Sequence, residues 1–148
     1  MALKIKSWKD KFESTKSNGV QQTDKGLMYI STPKEIAEVI QTVPQRKLIT
    51  TKQIAEILTK KHKVHFTCPL TTGIFVSVAA NYAEEMETQG KKNIIPYWRV
   101  IKPNGFLYDK YLGSIFPQKE YLESEGIHVI EKGKHKKLAV ENFEKNLI

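Results

Sequence analysis

Three groups of residues carry side chains able to do chemistry. Cys68 is the single thiol in 148 residues. It precedes Pro69 at the start of an apolar-periodic segment, where a positive helix end with Lys63 and His65 nearby would lower a thiol pKa and favour a nucleophilic thiolate. Between Phe66 and Leu70, however, a lone cysteine also reads as a small buried hydrophobe. His62 and His65 have spacing that invites a metal, but Lys60, Lys61 and Lys63 surround them and disfavour a cation; His128 and His135 are isolated. No metal and no cofactor is expected. The third group is Tyr97-Trp98-Arg99, which sets a phenol, an indole N–H and a guanidinium side by side within Ile94–Ile101, just before the turn signal Lys102-Pro103-Asn104-Gly105. These residues read either as volume-filling members of a core strand or as the lining of a pocket.

Composition bounds the partners. Lys and Arg number 24 against 16 Asp and Glu, a formal charge of +8 and a pI near 9.5, which favours a polyanion because each neutralised phosphate releases counterions. Hydrophobic residues at 40% and charged residues at 27% are globular values, and the length suits one domain with an N-terminal extension. No apolar run approaches the roughly 20 residues of a membrane span, and the first residues lack the apolar centre of a secretory signal. One cysteine excludes an intramolecular disulfide. A cytoplasmic monomer without membrane association is expected.

The elements that must position these residues follow from capping and periodicity. Residues 1–30 read as a basic N-terminal extension, with a short helix over 7–14 and a loop over 17–26, that either folds back through Trp8 and Phe12 or remains a partly disordered arm that touches DNA. Thr32-Pro33 with Glu35 starts a helix over 33–42. Thr50 or Thr51 caps a second helix to about Lys61, with Ile54, Ile57 and Leu58 inward. After an extended connector over 64–69, a third helix runs from Leu70 to about Thr88, with Ile74, Phe75, Val78, Ala79 and Tyr82 at helical spacing. Two helices so joined suit a helix-turn-helix. Glu84, Glu85 and Glu87 on the second of them would repel phosphate unless they sit at its distal end. A further helix spans 118–125, Ile127–Ile130 and Leu138–Val140 make a hairpin across a lysine-rich tip, and residues 141–148 form a short helix or frayed tail.

The segment Ile95-Pro96-x-x-Arg99-Val100 resembles the active-site core of the O6-alkylguanine-DNA alkyltransferases, where a cysteine and then a histidine stand between proline and arginine. The order of elements from Pro33 to His128, with Val43-Pro44 before the first DNA-binding helix, Tyr111-Leu112-Gly113, and a helix ending in Glu125-Gly126, is similar to that family's DNA-binding domain. The resemblance implies an α+β, mostly α, winged helix-turn-helix DNA-binding domain over 31–131; the residues after it, 132–148, read by their own pattern as a small C-terminal β-hairpin and tail. It also implies flipping of a damaged guanine out of the duplex. Pro96, Arg99 and Val100 match the core, while Tyr97 and Trp98 replace the nucleophile and its histidine. Tyr111 and Gly113 match the pocket loop, with Leu112 for its serine, and Asn93 matches a hinge asparagine. Thr51 falls where a base-rotating tyrosine belongs, and Ala80 or Asn81 where an intercalating arginine belongs. Lys52, Thr71, Thr72 and Gly73 are the expected phosphate contacts, and Arg99 would tie the pocket loop to the helices.

A phenol, with a reference pKa of about 10, is a poorer alkyl acceptor than a thiolate. The resemblance therefore implies an alkyltransferase-like protein that binds double-stranded DNA with O6-alkylguanine lesions, does not transfer the alkyl group, and hands lesions to excision-repair proteins. The alternatives are a winged-helix module that binds DNA or protein without lesion recognition, and a methyl acceptor acting through Cys68.

Overall fold

Reciprocal capping opens the first helix: Ser7 accepts from Asp10 N at 3.1 Å, and Asp10 accepts from Ser7 N. Helix α1 (Trp8–Ser14) buries Phe12, which stacks on Tyr82 at 4.4 Å. The structure, a computed structural model, describes residues 7–17, 19–108 and 116–148. Strands β1 (Gly19–Thr23) and β2 (Gly26–Ile30) form an antiparallel hairpin in which Thr23 faces Gly26 across the turn. A hairpin thus occupies most of the stretch expected to be loop. Its outer strand is polar, which hid the pairing, but β2 places buried Tyr29 inward and finds a parallel partner in β4 (Phe66–Thr67). That register, Met28 with Phe66 and Tyr29 with Thr67, links segments too distant for local periodicity to report.

Helix α2 (Pro33–Gln41) begins as its sequence predicts, with the Thr32 hydroxyl accepting from Glu35 N at 3.2 Å. It buries Ile36, Ala37 and Ile40. Strand β3 (Ile49–Thr50) leads into α3 (Thr51–His62), where Thr50 and Gln53 exchange backbone-to-side-chain bonds of 3.1 and 2.9 Å. Ile54 and Leu58 face the core, whereas Ile57 is 39% exposed. Helix α4 (Pro69–Thr88) packs Val76, Ala79, Ala80 and Ala83 inward. Burial contributes roughly 1.5–3 kcal/mol for a side chain such as Ile54, Leu58 or Val76 and about 0.8 kcal/mol for each alanine methyl. The α3–α4 connector, residues 63–68, holds β4 and is longer than the minimal turn of a helix-turn-helix.

A single 3₁₀ turn (Tyr97–Arg99) follows and runs into β5 (Val100–Ile101), which pairs in parallel with β3, Ile49 to Val100. Helix α5 (Phe116–Ser124) comes next, then β6 (Val129–Lys132) and β7 (Lys137–Val140) as an antiparallel hairpin. Phe106 bridges to Ala139, so the turn after β5 and the hairpin are joined. Of the two alternatives for the end of the chain, the short helix holds, as a 3₁₀ helix (Phe143–Asn146) that places Leu147 beside Leu48, with Ile148 N donating to Leu48 O at 3.0 Å. The result is a mixed α+β, mostly helical fold of the winged-helix type.

Candidate functional site

Backbone geometry presents the three central side chains. Pro96 precedes the 3₁₀ turn, and Tyr97 N donates to Ile95 O at 2.8 Å and Arg99 N to Pro96 O at 3.1 Å, a tight turn that sends consecutive side chains in different directions. Tyr97 goes inward with no exposed surface, and its hydroxyl donates to the Glu84 carboxylate on α4. Trp98 lies flat against Tyr121 of α5, with centroids 4.1 Å apart and an interplanar angle of 15°, and Tyr97 meets both rings edge-on. Such aromatic pairs add about 0.5–1.5 kcal/mol each beyond area burial.

Glu125, just past α5, gathers the polar atoms beneath these rings. It accepts from Trp98 Nε1 at 2.8 Å, from Arg99 Nη2 at 2.7 Å and Nε at 3.1 Å, and from Arg46 N at 3.1 Å. Arg99 Nη1 donates in addition to Val43 O at 2.8 Å. Burial pushes the Glu125 carboxyl up, but these donors, Arg99 foremost, outweigh it and hold its pKa below the ordinary carboxylate value. Gln118, fully buried, completes the support: its amide N–H₂ donates to Trp98 O and Val100 O, and its oxygen accepts from Tyr108 N at 3.0 Å.

Each of the three α4 glutamates has a specific partner. Glu84 accepts from Tyr97, Glu85 accepts from Trp8 N at 3.0 Å and Lys9 N at 3.4 Å and so caps α1, and Glu87 accepts from the Tyr121 hydroxyl. Burial raises the Glu84 pKa above its usual value; the Tyr97 bond opposes this and repulsion from Glu87 adds to it. Burial, the bond to Glu87 and neighbouring carboxylates raise the Tyr121 phenol. The depression beside these rings, about 660 Å³, is lined by Glu84, Glu87, Glu120 and Tyr121, so its mouth is acidic and opposes phosphate.

The opposite electrostatics prevail where α3 and α4 begin. Thr51, Lys52, Pro69, Thr72 and Pro103 surround a dimple of about 260 Å³, so the positive ends of both helices converge there beside the Lys102–Gly105 turn. That turn also borders a larger groove of about 550 Å³ against the β6–β7 hairpin, lined by Lys102, Lys132, Lys134, Lys136 and Lys137. The Lys102–Gly105 turn thus stands between the two helix starts on one side and the hairpin on the other.

No protein-family model and no curated protein matches this sequence. Among solved structures, S. pombe Atl1 in complex with damaged DNA containing O6-carboxymethylguanine aligns at a TM-score of 0.54 and 15% identity, over 78% of this chain and 93% of that one. S. pombe ATL in complex with DNA aligns at the same TM-score and 16% identity, over the same shares. The chain has the alkyltransferase-like fold.

Within that fold the expected site residues separate. Pro96, Tyr97, Trp98, Arg99 and Val100 come together as one cluster, whereas Asn93, with φ 59°, borders a different depression beside Phe12, Ala37 and Met86. Tyr111 and Gly113 lie outside the described residues. Arg99 ties α5 to the end of α2 through Glu125 and Val43. Of the expected DNA contacts, Lys52 is exposed and Thr51 and Thr71 half-exposed, and a Cβ on Gly73 would meet nothing within 4 Å. Thr72, Ala80 and Asn81 are buried, and Thr72 Oγ1 and Asn81 Nδ2 donate to Cys68 O and Ser77 O, both at 2.8 Å. These three side chains face the protein because α4 continues for 20 residues with an inner stripe that includes them. The exposed side of its first turns carries Leu70 and Ile74 instead, 71% and 49% exposed.

Cys68 is half-buried at the start of α4; burial raises its thiol, but bonds from Thr71 and backbone N–H groups bring it below the ordinary value. Sequence reasoning missed Gln118 and the role of Glu125. Gln118 stands three and four residues before Tyr121 and Leu122, the inward positions of its helix, and that spacing was the available signal.

Proposed function

We propose that this protein binds double-stranded DNA, recognises O6-alkylguanine lesions, and holds them without taking up the alkyl group, so that repair factors act on the marked site. The observation that carries the reading is the cluster at residues 96–100 set in a fold shared with proteins crystallised on DNA. At its centre the Tyr97 phenol is bonded to Glu84 and the Trp98 indole to Glu125, and the sequence resemblance aligns these two residues with the cysteine and histidine that transfer would need. A buried phenol committed as a donor is a poor nucleophile, which supports holding over reacting. The convergent ends of α3 and α4, with Lys52 and Lys102, supply the positive face for phosphate.

A second reading, DNA binding without lesion recognition, is favoured by one specific observation: Tyr97 has no exposed surface, and the acidic mouth beside it does not invite a nucleotide. One experiment separates the two. Binding to matched duplexes with and without a single O6-methylguanine is measured by anisotropy at low and moderate salt. Lesion recognition predicts a damaged-to-intact ratio above one that persists as salt weakens both affinities; equal affinities support the second reading. Methyl transfer through Cys68 would appear as a methyl-sized mass increase after incubation with methylated DNA, lost in Cys68→Ser; none is expected.

A further inference from the structure

The groove between the Lys102–Gly105 turn and the β6–β7 hairpin has properties that the lesion reading, which draws only on Lys102 here, does not use. Its floor is apolar, built from Phe106, Leu107 and Leu138. Phe106 and Leu138 are half-exposed and reachable from the groove. Its rim is cationic, with Lys102 on one side and Lys132, Lys134, Lys136 and Lys137 on the other, and no carboxylate lines it among the described residues. The walls are held by backbone bonds: Leu107 N donates to Leu138 O at 3.0 Å, Val140 N to Gly105 O at 2.9 Å, and Lys102 N to Phe106 O at 2.9 Å. The hairpin tip is closed by Lys136 N to Gly133 O at 3.1 Å. Lys102 is also steered, with its ammonium 5.6 Å from the centroid of Tyr108.

A cationic rim around an aromatic and aliphatic floor is the combination that holds single-stranded nucleic acid, the cations following phosphates while bases rest on apolar faces. At about 550 Å³ the groove is of small-ligand size, with room for a nucleotide and not for a duplex. We infer that this groove is a separate site for an unpaired nucleic-acid strand, with phosphates on the lysines of the hairpin and of the turn, and a base against Phe106 and Leu138. Because the same turn borders the dimple at the starts of α3 and α4, a strand leaving a duplex bound there would enter the groove directly.

The test uses the full chain and a thymidine oligonucleotide of about ten residues, within the usual footprint of strand-binding sites. Lys134→Ser, Lys136→Ser and Lys137→Ser together remove three exposed cations from the hairpin tip and the first residue of β7, which are held by backbone bonds, so folding is retained and is checked by circular dichroism. With about 0.7 counterions released per contact, losing three flattens the log–log salt slope by about 2 and weakens binding up to about a hundredfold near 0.1 M salt. An unchanged slope and affinity overturns the inference. Two ligand arms leave the protein untouched. An abasic oligonucleotide of equal charge should bind several-fold more weakly than the thymidine strand, and polyglutamate of similar length more weakly still. Equal binding of either would show a site for charge alone and overturn it. The damaged-to-intact duplex ratio is measured in the same variant. A lost strand affinity with a ratio of one sinks lesion recognition and leaves this inference standing, and the converse result does the opposite.

Discussion

Replacing Glu125 by alanine should be among the most damaging single changes outside the apolar core. Its carboxylate is 6% exposed and faces Arg99, itself 14% exposed, and it also accepts the Trp98 indole and the Arg46 amide. Removing one member of a buried pair costs about 3–5 kcal/mol, because the other charge stays behind without its partner. The stranded indole and amide would each add roughly 1 kcal/mol or more if water did not reach them. Arg99 keeps its bond to Val43 O and some access to solvent, so a total of about 4 kcal/mol is the reasoned value. With a urea dependence of about 2 kcal/mol per molar, the unfolding midpoint at neutral pH should fall by about 2 M. The sign with pH is also set. The folded-state pKa of Glu125 is depressed, so its contribution is complete above the unfolded carboxyl pKa of about 4.3 and is lost as pH falls through the lower folded value. The gap between wild type and Glu125→Ala should therefore close in acid. A double variant with Arg99→Leu should be less destabilised than the sum of the single variants. A midpoint unchanged at neutral pH, or a gap that widens in acid, would refute the view that this carboxylate anchors the site.

Three further outcomes are expected. Glu35 accepts from the Tyr29 hydroxyl at 2.6 Å, from Lys61 at 2.9 Å and meets His62 at 2.8 Å; burial raises its carboxyl, but these bonds outweigh it and hold the pKa down. Glu35→Gln should cost about 1–2 kcal/mol at neutral pH, with the loss shrinking as pH drops below the ordinary carboxylate range, read by thermal melts across pH. Gly105→Ala should destabilise by about 2 kcal/mol or more, because φ is +92° and the added Cβ would meet the Phe143 ring at 2.5 Å; urea titration reads it. Phe12→Ala should cost about 3 kcal/mol and release α1, seen as fast amide exchange in residues 8–14 while α3 stays protected.

Legibility in the sequence followed the range of the interaction. Thr32, Pro33 and Glu35 act within four residues of one another, as do Thr50 and Gln53, and both helix starts were readable. The strand pairing of residues 19–30 was not, because β1 is mostly polar and the parallel partner of β2 lies beyond two helices. The cluster at 96–100 was visible as a segment, since its proline, aromatics and arginine are contiguous. Its supports were not: Glu84 and Gln118 reach it from other helices and Glu125 from just past α5. The α4 glutamates conflict with DNA unless they sit at the far end of the helix, and they do sit in its last turns; only their tertiary partners reveal them as acceptors for Tyr97, α1 and Tyr121. Ala80 and Asn81 were placed by position relative to the core motif, which carries no information on which side of a longer helix they fall.

Helix α4 is divided along its length. Its later turns are fastened to three other elements by Glu84, Glu85 and Glu87, while its first turns present Leu70, Thr71 and Ile74 outward. Whatever those leading residues touch can be retuned by mutation at little risk to the scaffold, since the fastenings lie more than two turns downstream. A lineage with this arrangement has a contact surface free to diverge quickly on a frame that stays put.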